Sequence, residues 1–160
     1  MAWLHFFDVG RIKEPHQFKK FLLNDFIHPD LVKDMKIKVN PARMEIFYKG
    51  ELILNFETDD WGMHYYKPEK YADNTAATPL DFDQFRRHFK KYYQQKHQES
   101  AKDKDYYFRI LTLLDRRTGK RTLQKFVNEG DFFEIVVMNR DFRLEKLYKI
   151  RFDVAGIKYM

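Results

Sequence analysis

Sixteen phenylalanines, ten tyrosines and two tryptophans in 160 residues govern how this chain can fold. Rings bury more area per side chain than aliphatics, so a core can be filled with few residues if each ring finds a face to pack against. Their spacing shows which element offers that face. Phe82, Phe85, Phe89 and Tyr92 recur at three and four residues, which makes one apolar stripe along a helix. Met35 to Val39 instead alternates Met, Ile and Val with Lys36 and Lys38, the period of a half-buried strand.

Extended along the chain, this reading predicts two helices and several strands. Trp3 to Val9 is a short strand closed by Gly10. Pro15 opens a helix with apolar positions Phe18, Phe21, Leu22 and Phe26, ended by His28-Pro29. Met44–Tyr48 and Leu52–Phe56 flank Lys49-Gly50-Glu51, a hairpin with glycine where a positive φ is needed. Met63 to Lys67 is a further strand, and polar residues from Lys67 to Thr78 form a long loop. Thr78-Pro79-Leu80-Asp81 predicts the second helix, with Thr78 as cap, running to about His97. A charged linker, Gln98 to Asp105, follows. Four strands are expected beyond it: Tyr106–Leu114, Arg121–Val127, Phe132–Met138 and Phe142–Val154.

The expected fold is therefore α+β: antiparallel sheet with two helices, arranged as two helix-plus-meander halves. The length fits a single domain over 1–160, with a subdivision near 68–78 into 1–67 and 79–160 as the alternative. The likeness of Gln17-Phe18-Lys19-Lys20 to Gln84-Phe85-Arg86-Arg87 is four residues of chemistry common at helix starts.

Some functions fall away on composition. Without cysteine there is no disulfide, thiolate zinc site or cysteine nucleophile. The N-terminus lacks a basic lead and meets a charge at Asp8, unlike a signal peptide, and no apolar run reaches bilayer length. A cytoplasmic protein without a membrane partner is expected. Abundant Lys, Phe and Tyr with little Ala fit an AT-rich bacterial or phage genome.

Charge is the functional signal. Between Phe82 and Phe126 stand 13 Lys/Arg against 5 Asp/Glu, a net of +8, while the remaining residues sum to −2. On the second helix Arg86, Arg87, Lys90 and Lys91 fall away from the apolar stripe, and such a face can track phosphates. A solvated helix face is often basic as well, and cations toward a helix C-terminus suit its dipole. The segment Asp115 to Arg121 adds Arg116, Arg117, Lys120 and Arg121, read as the basic tip of a hairpin able to clamp a backbone. Its bland counterpart is a turn whose cations protect a sheet edge. Tyr93 lies beside the cations as a candidate stacking platform, and one of Tyr106 and Tyr107 is expected to be exposed.

Other chemistries are weaker. Glu57, Asp59, Asp60 and His64 could hold a divalent metal for phosphodiester hydrolysis, though no spacing is diagnostic and a solvated turn explains them. Pro29-Asp30 and Asp34-Met35-Lys36 spell the elements of a nuclease signature, but three intervening residues do not supply the two neighbouring strands that chemistry needs. The only serine, Ser100, lacks a nucleophile elbow, and no glycine-rich phosphate loop is present. The six histidines are scattered. The expectation is a non-enzymatic nucleic-acid-binding protein, with no cofactor, resident metal or catalytic residue. Its binding residues would be Arg86, Arg87, Lys90, Lys91, Tyr93, Arg116, Arg117, Lys120 and Arg121. The alternative is an interaction module of a bacterial or phage mobile element that meets an acidic protein; a metal-dependent nuclease ranks third.

Overall fold

A computed structural model describes residues 15–58, 75–76 and 78–159. The strands expected at Trp3–Val9 and Met63–Lys67, and the acids Asp59 and Asp60 with His64, lie outside the described residues. The first helix, α1 (Pro15–Phe21), runs on as a π turn over Leu22–Phe26 and buries Phe18, Phe21, Leu22 and Phe26. Pro29 then opens a single turn, α2 (Pro29–Val32), capped by His28, whose Nδ1 accepts from the Asp30 amide at 3.1 Å.

Three strands follow as an antiparallel meander: β1 (Met35–Asn40), β2 (Arg43–Tyr48) and β3 (Glu51–Glu57). Lys49 (φ 50°) and Gly50 (φ 82°) connect β2 to β3, and two successive positive φ values are the geometry a two-residue primed turn requires. A two-residue β4 (Leu80–Asp81) pairs parallel with the end of β3, Phe56 opposite Leu80, giving the order β1-β2-β3-β4. The α+β class with a mostly antiparallel sheet is thus borne out.

The aromatic stripe forms α3 (Phe82–Gln94), with Phe82, Phe85, Phe89 and Tyr92 all buried. Phe85 meets Phe56 of β3 at 4.3 Å between centroids, and Phe18 of α1 meets Phe89 edge-on at 5.3 Å. The helix therefore sits between the sheet and α1. It starts later than the Thr78 cap implied, because Leu80 and Asp81 are spent on β4. Asp81 is the true cap, its Oδ1 accepting from the Gln84 amide at 3.0 Å. It also ends earlier: Gln95 and Lys96 turn extended, and α4 (His97–Lys102) takes up the residues read as a linker.

The second half departs from the expected meander. All four predicted strands are helices: α5 (Tyr106–Leu114), α6 (Lys120–Asn128), α7 (Asp131–Phe133) continued by a π turn over Glu134–Met138, and α8 (Phe142–Ala155). The reasons are local. Asp105 caps α5 by accepting from the Tyr107 and Phe108 amides, and Asp141 caps α8 by accepting from Leu144. Gly156 at φ 72° stops α8 in the left-handed conformation favoured there. One continuous cluster of buried apolar side chains extends from Phe18 to Ile157.

Candidate functional site

Asp115 to Arg121 is not a hairpin tip. Asp115 to Gly119 links α5 to α6, whose first residues are Lys120 and Arg121, and an antiparallel bridge between Ile27 and Asp115 holds the linker. Around that bridge His28 N donates to Leu114 O at 2.9 Å and Arg116 N to Phe26 O at 2.8 Å. The linker is also docked on the C-terminal end of α3. Tyr92 OH donates to Asp115 Oδ2 at 2.8 Å, and the Arg117 guanidinium lies 4.8 Å from the Tyr93 ring centroid. The two basic segments, separate in sequence, meet in space.

The docking draws some predicted residues into the architecture. Asp115 is fully buried and takes Arg117 in a fork, with Nε and Nη2 donating to its two oxygens at 2.7–3.1 Å. Burial works against the Arg117 charge, but these bonds and the Asp115 charge outweigh it and raise the guanidinium pKa. Arg116 donates from Nη2 to Ile27 O at 3.1 Å. Arg86 pairs with Asp83 and lies 4.3 Å from the centre of Phe82. Tyr93 stacks on Phe89 at 5.9 Å, and burial raises its phenol pKa. Beneath the linker, Arg151 is 2% exposed; its Nε donates to Leu113 O at 2.9 Å and its Nη2 to Thr118 O. Burial pushes its pKa down to about 10, opposed by Asp115.

Neither Tyr106 nor Tyr107 is the exposed ring expected. Tyr106 donates to Asp141 at 3.0 Å, while Tyr107 stacks on His88 at 4.8 Å and accepts from the Asp81 amide at 3.2 Å.

Other cations stay outward. Arg87 and Lys91 are exposed opposite the buried stripe of α3, Lys90 is half-buried beside them, and Lys120 and Arg121 are exposed at the start of α6. Of the thirteen Lys and Arg between 82 and 126, only Arg86, Arg109 and Arg117 are ion-paired with a described residue.

A groove of about 590 Å³ opens beside the linker, between α4, the start of α5 and α6. Lys102, Lys104, Arg109 and Lys125 line it together with His97, Glu129 and Asp131. Burial lowers the His97 pKa, opposed by Asp115 and assisted by Arg117; its Nε2 shares a hydrogen bond with Thr118 Oγ1 at 2.9 Å. Arg109 escaped the sequence reading, although an arginine inside the apolar run Tyr-Tyr-Phe-Arg-Ile-Leu marks a charge that burial would leave in need of a partner.

Between 51 and 81 the described acids are each engaged. Glu51 pairs with Lys146 at 3.0 Å, Glu57 with Arg43 at 2.7 Å, and Asp81 caps α3. Among the described residues no three His, Asp or Glu gather as a metal site, and no helix is long and apolar enough to cross a membrane.

Neither the curated proteins nor the solved structures contain a match to this chain. The model of the SF0329 protein family does match, over residues 31–144, a span holding the whole described sheet, α3 and the entire basic stretch. With more than half its length matched, the chain belongs to the SF0329 protein family.

Proposed function

We propose that the chain binds nucleic acid through the phosphate backbone, without catalysis. Arg87, Lys90 and Lys91 of α3 and Lys120 and Arg121 of α6 supply the charge. Arg86, Arg116, Arg117 and Tyr93, engaged by neighbouring residues, shape the surface that carries it. The observation behind this reading is the seating of the 115–119 linker on the end of α3, which joins two basic segments while most of their cations have no carboxylate partner among the described residues. Unpaired cations on a continuous surface release counterions when they meet phosphates, and this drives sequence-independent binding.

Fluorescence anisotropy with labelled single- and double-stranded DNA and RNA tests the reading. Log affinity should fall linearly with log salt, at about 0.9 per phosphate engaged on a duplex and about 0.7 on a single strand. A variant combining Arg87→Ala, Lys91→Ala, Lys120→Ala and Arg121→Ala should bind more weakly to every sequence with a shallower slope. No binding at low salt, or unchanged affinity in this variant, overturns the proposal.

A second reading, docking to another protein, draws on exposed apolar side chains instead. Phe133 and Met138 are 58% and 68% exposed near Phe142, at the start of α8. A partner recognised there should be lost on Phe133→Ser with Met138→Ser, while affinity for nucleic acid stays unchanged.

A further inference from the structure

Arg109 carries an unusual debt of hydrogen bonds. Its side chain is only 5% exposed, yet its guanidinium makes no hydrogen bond to any described residue, and Nη1 is sealed from solvent without a partner. The nearest carboxylate, on Asp131, stands 3.7 Å from Nη2, beyond hydrogen-bond reach. The ring of Phe126, 4.2 Å away, offers attraction but no acceptor. Buried donors are ordinarily satisfied, so an arginine whose Nη1 is sealed and unpartnered is a departure that needs a cause. Among the other buried polar atoms without a hydrogen-bond partner is the Tyr148 hydroxyl, and Tyr148 lies close enough to feel the Arg109 charge.

Arg109 is one of the residues that line the groove between α4, α5 and α6. Lys102, Lys104 and Lys125 add three cations there against two carboxylates, Glu129 and Asp131, and none of the three lysines is ion-paired with a described residue. The groove volume of about 590 Å³ lies in the usual range of small-ligand sites. A planar fork of donors beside flexible ammonium groups matches the several oxygens of a phosphate better than the two of a carboxylate.

We propose that this groove binds a phosphate group, with Arg109 donating hydrogen bonds at its base and Lys102, Lys104 and Lys125 supplying charge around it. The inference deepens the nucleic-acid reading and rests on it for the source of the phosphate, which is either a phosphodiester within the strand or the monoester at its end. Asp131 gives up its place beside Nη2 to a phosphate oxygen when the group enters.

Proton–nitrogen NMR titrations provide the test, reading the Arg109 Nε–H signal and the backbone amides of 97–109 and 119–131. Inorganic phosphate should shift these signals saturably, and chloride at equal ionic strength should not. Lys102→Ala combined with Lys125→Ala, both exposed positions that leave the fold intact, should weaken phosphate binding about tenfold. Arg109→Lys should abolish it; if that variant unfolds, the double lysine variant decides alone. A 5′-hydroxyl oligonucleotide that shifts the groove signals identifies an internal phosphodiester as the source, and a response confined to the 5′-phosphorylated strand identifies the end. Failure of phosphate to move the Arg109 signal, or indifference to loss of the two lysines, overturns the inference. Oligonucleotide binding that shifts only α3 and the start of α6 sinks the groove and leaves the backbone-binding surface standing. A phosphate response with no oligonucleotide binding does the reverse.

Discussion

At the scale of single residues, Asp115 organises the basic stretch. It is fully buried, takes the Arg117 fork, accepts from Tyr92 and faces the charge of Arg151. Asp115→Ala leaves the buried Tyr92 hydroxyl and the partly exposed Arg117 fork without their acceptor, so it should cost about 1–3 kcal/mol, measured as a drop in the urea midpoint. Lys120→Ala, exposed and without an ion pair, should change stability by less than about 0.5 kcal/mol. Two histidines set the pH response. Burial lowers the pKa of both His28 and His97 from the ordinary 6.5. The unfolded chain therefore takes up protons before the native one does. Stability is full above about pH 6.5 and falls as pH drops through the window between that value and the native-state pKa values. Melting temperatures recorded from pH 8 to pH 5 should show this decline, and His97→Gln should flatten it.

At the scale of elements, legibility in the sequence follows periodicity. β1 to β3 announced themselves by alternation and by Lys49-Gly50, and α3 by its ring spacing. α5 gave no such signal. From Phe108 to Leu114 every side chain is buried, Arg109 and Thr112 included, so no solvent-facing side marks a period and the segment does not distinguish a strand from a helix enclosed on all sides. Its one clue was the cap. Asp105→Ala should cost about 1 kcal/mol, read by thermal melting, because it removes the acceptor for two orphan amides. α8 was legible in principle: Leu144, Leu147, Tyr148, Arg151 and Phe152 recur at three and four residues between a capping Asp141 and Gly156. The thirteen residues Phe142–Val154 exceed an ordinary strand, so length also favours the helix over the strand expected there. The candidate site shows the same division. Arg87, Lys91, Lys120 and Arg121 are exposed, as a charge run implies. Arg116 and Arg117 were indistinguishable from them in sequence, because their partners, Ile27 and a buried Asp115, are set by tertiary docking.

For the whole molecule, the family match and the architecture have different bounds. Residues 31–144 hold the described sheet and the basic stretch, but α1 and most of α8 fall outside. Phe18, Phe21, Leu22 and Phe26 on one side, and Leu147, Tyr148 and Phe152 on the other, belong to the same buried cluster as α3. A fragment of 31–144 should therefore lack a cooperative melting transition and disperse poorly in proton–nitrogen NMR, while the full chain shows both.

The setting of Arg151 beneath the linker also dictates an order of events. The linker is fixed from both ends of the chain, by Ile27, from which Arg116 is 89 residues distant, and by Arg151, 33 residues beyond Thr118. A hairpin such as β2–β3 closes within a few residues, whereas contacts between distant segments come after the entropy of a long loop has been overcome. During synthesis the cationic linker thus emerges before its floor exists and acquires its shape only when α8 arrives. In pulse-labelled hydrogen exchange on refolding, the Arg116 amide should gain protection together with α8 and after the sheet, so the linker joining the two basic segments is the last part of the molecule to be assembled.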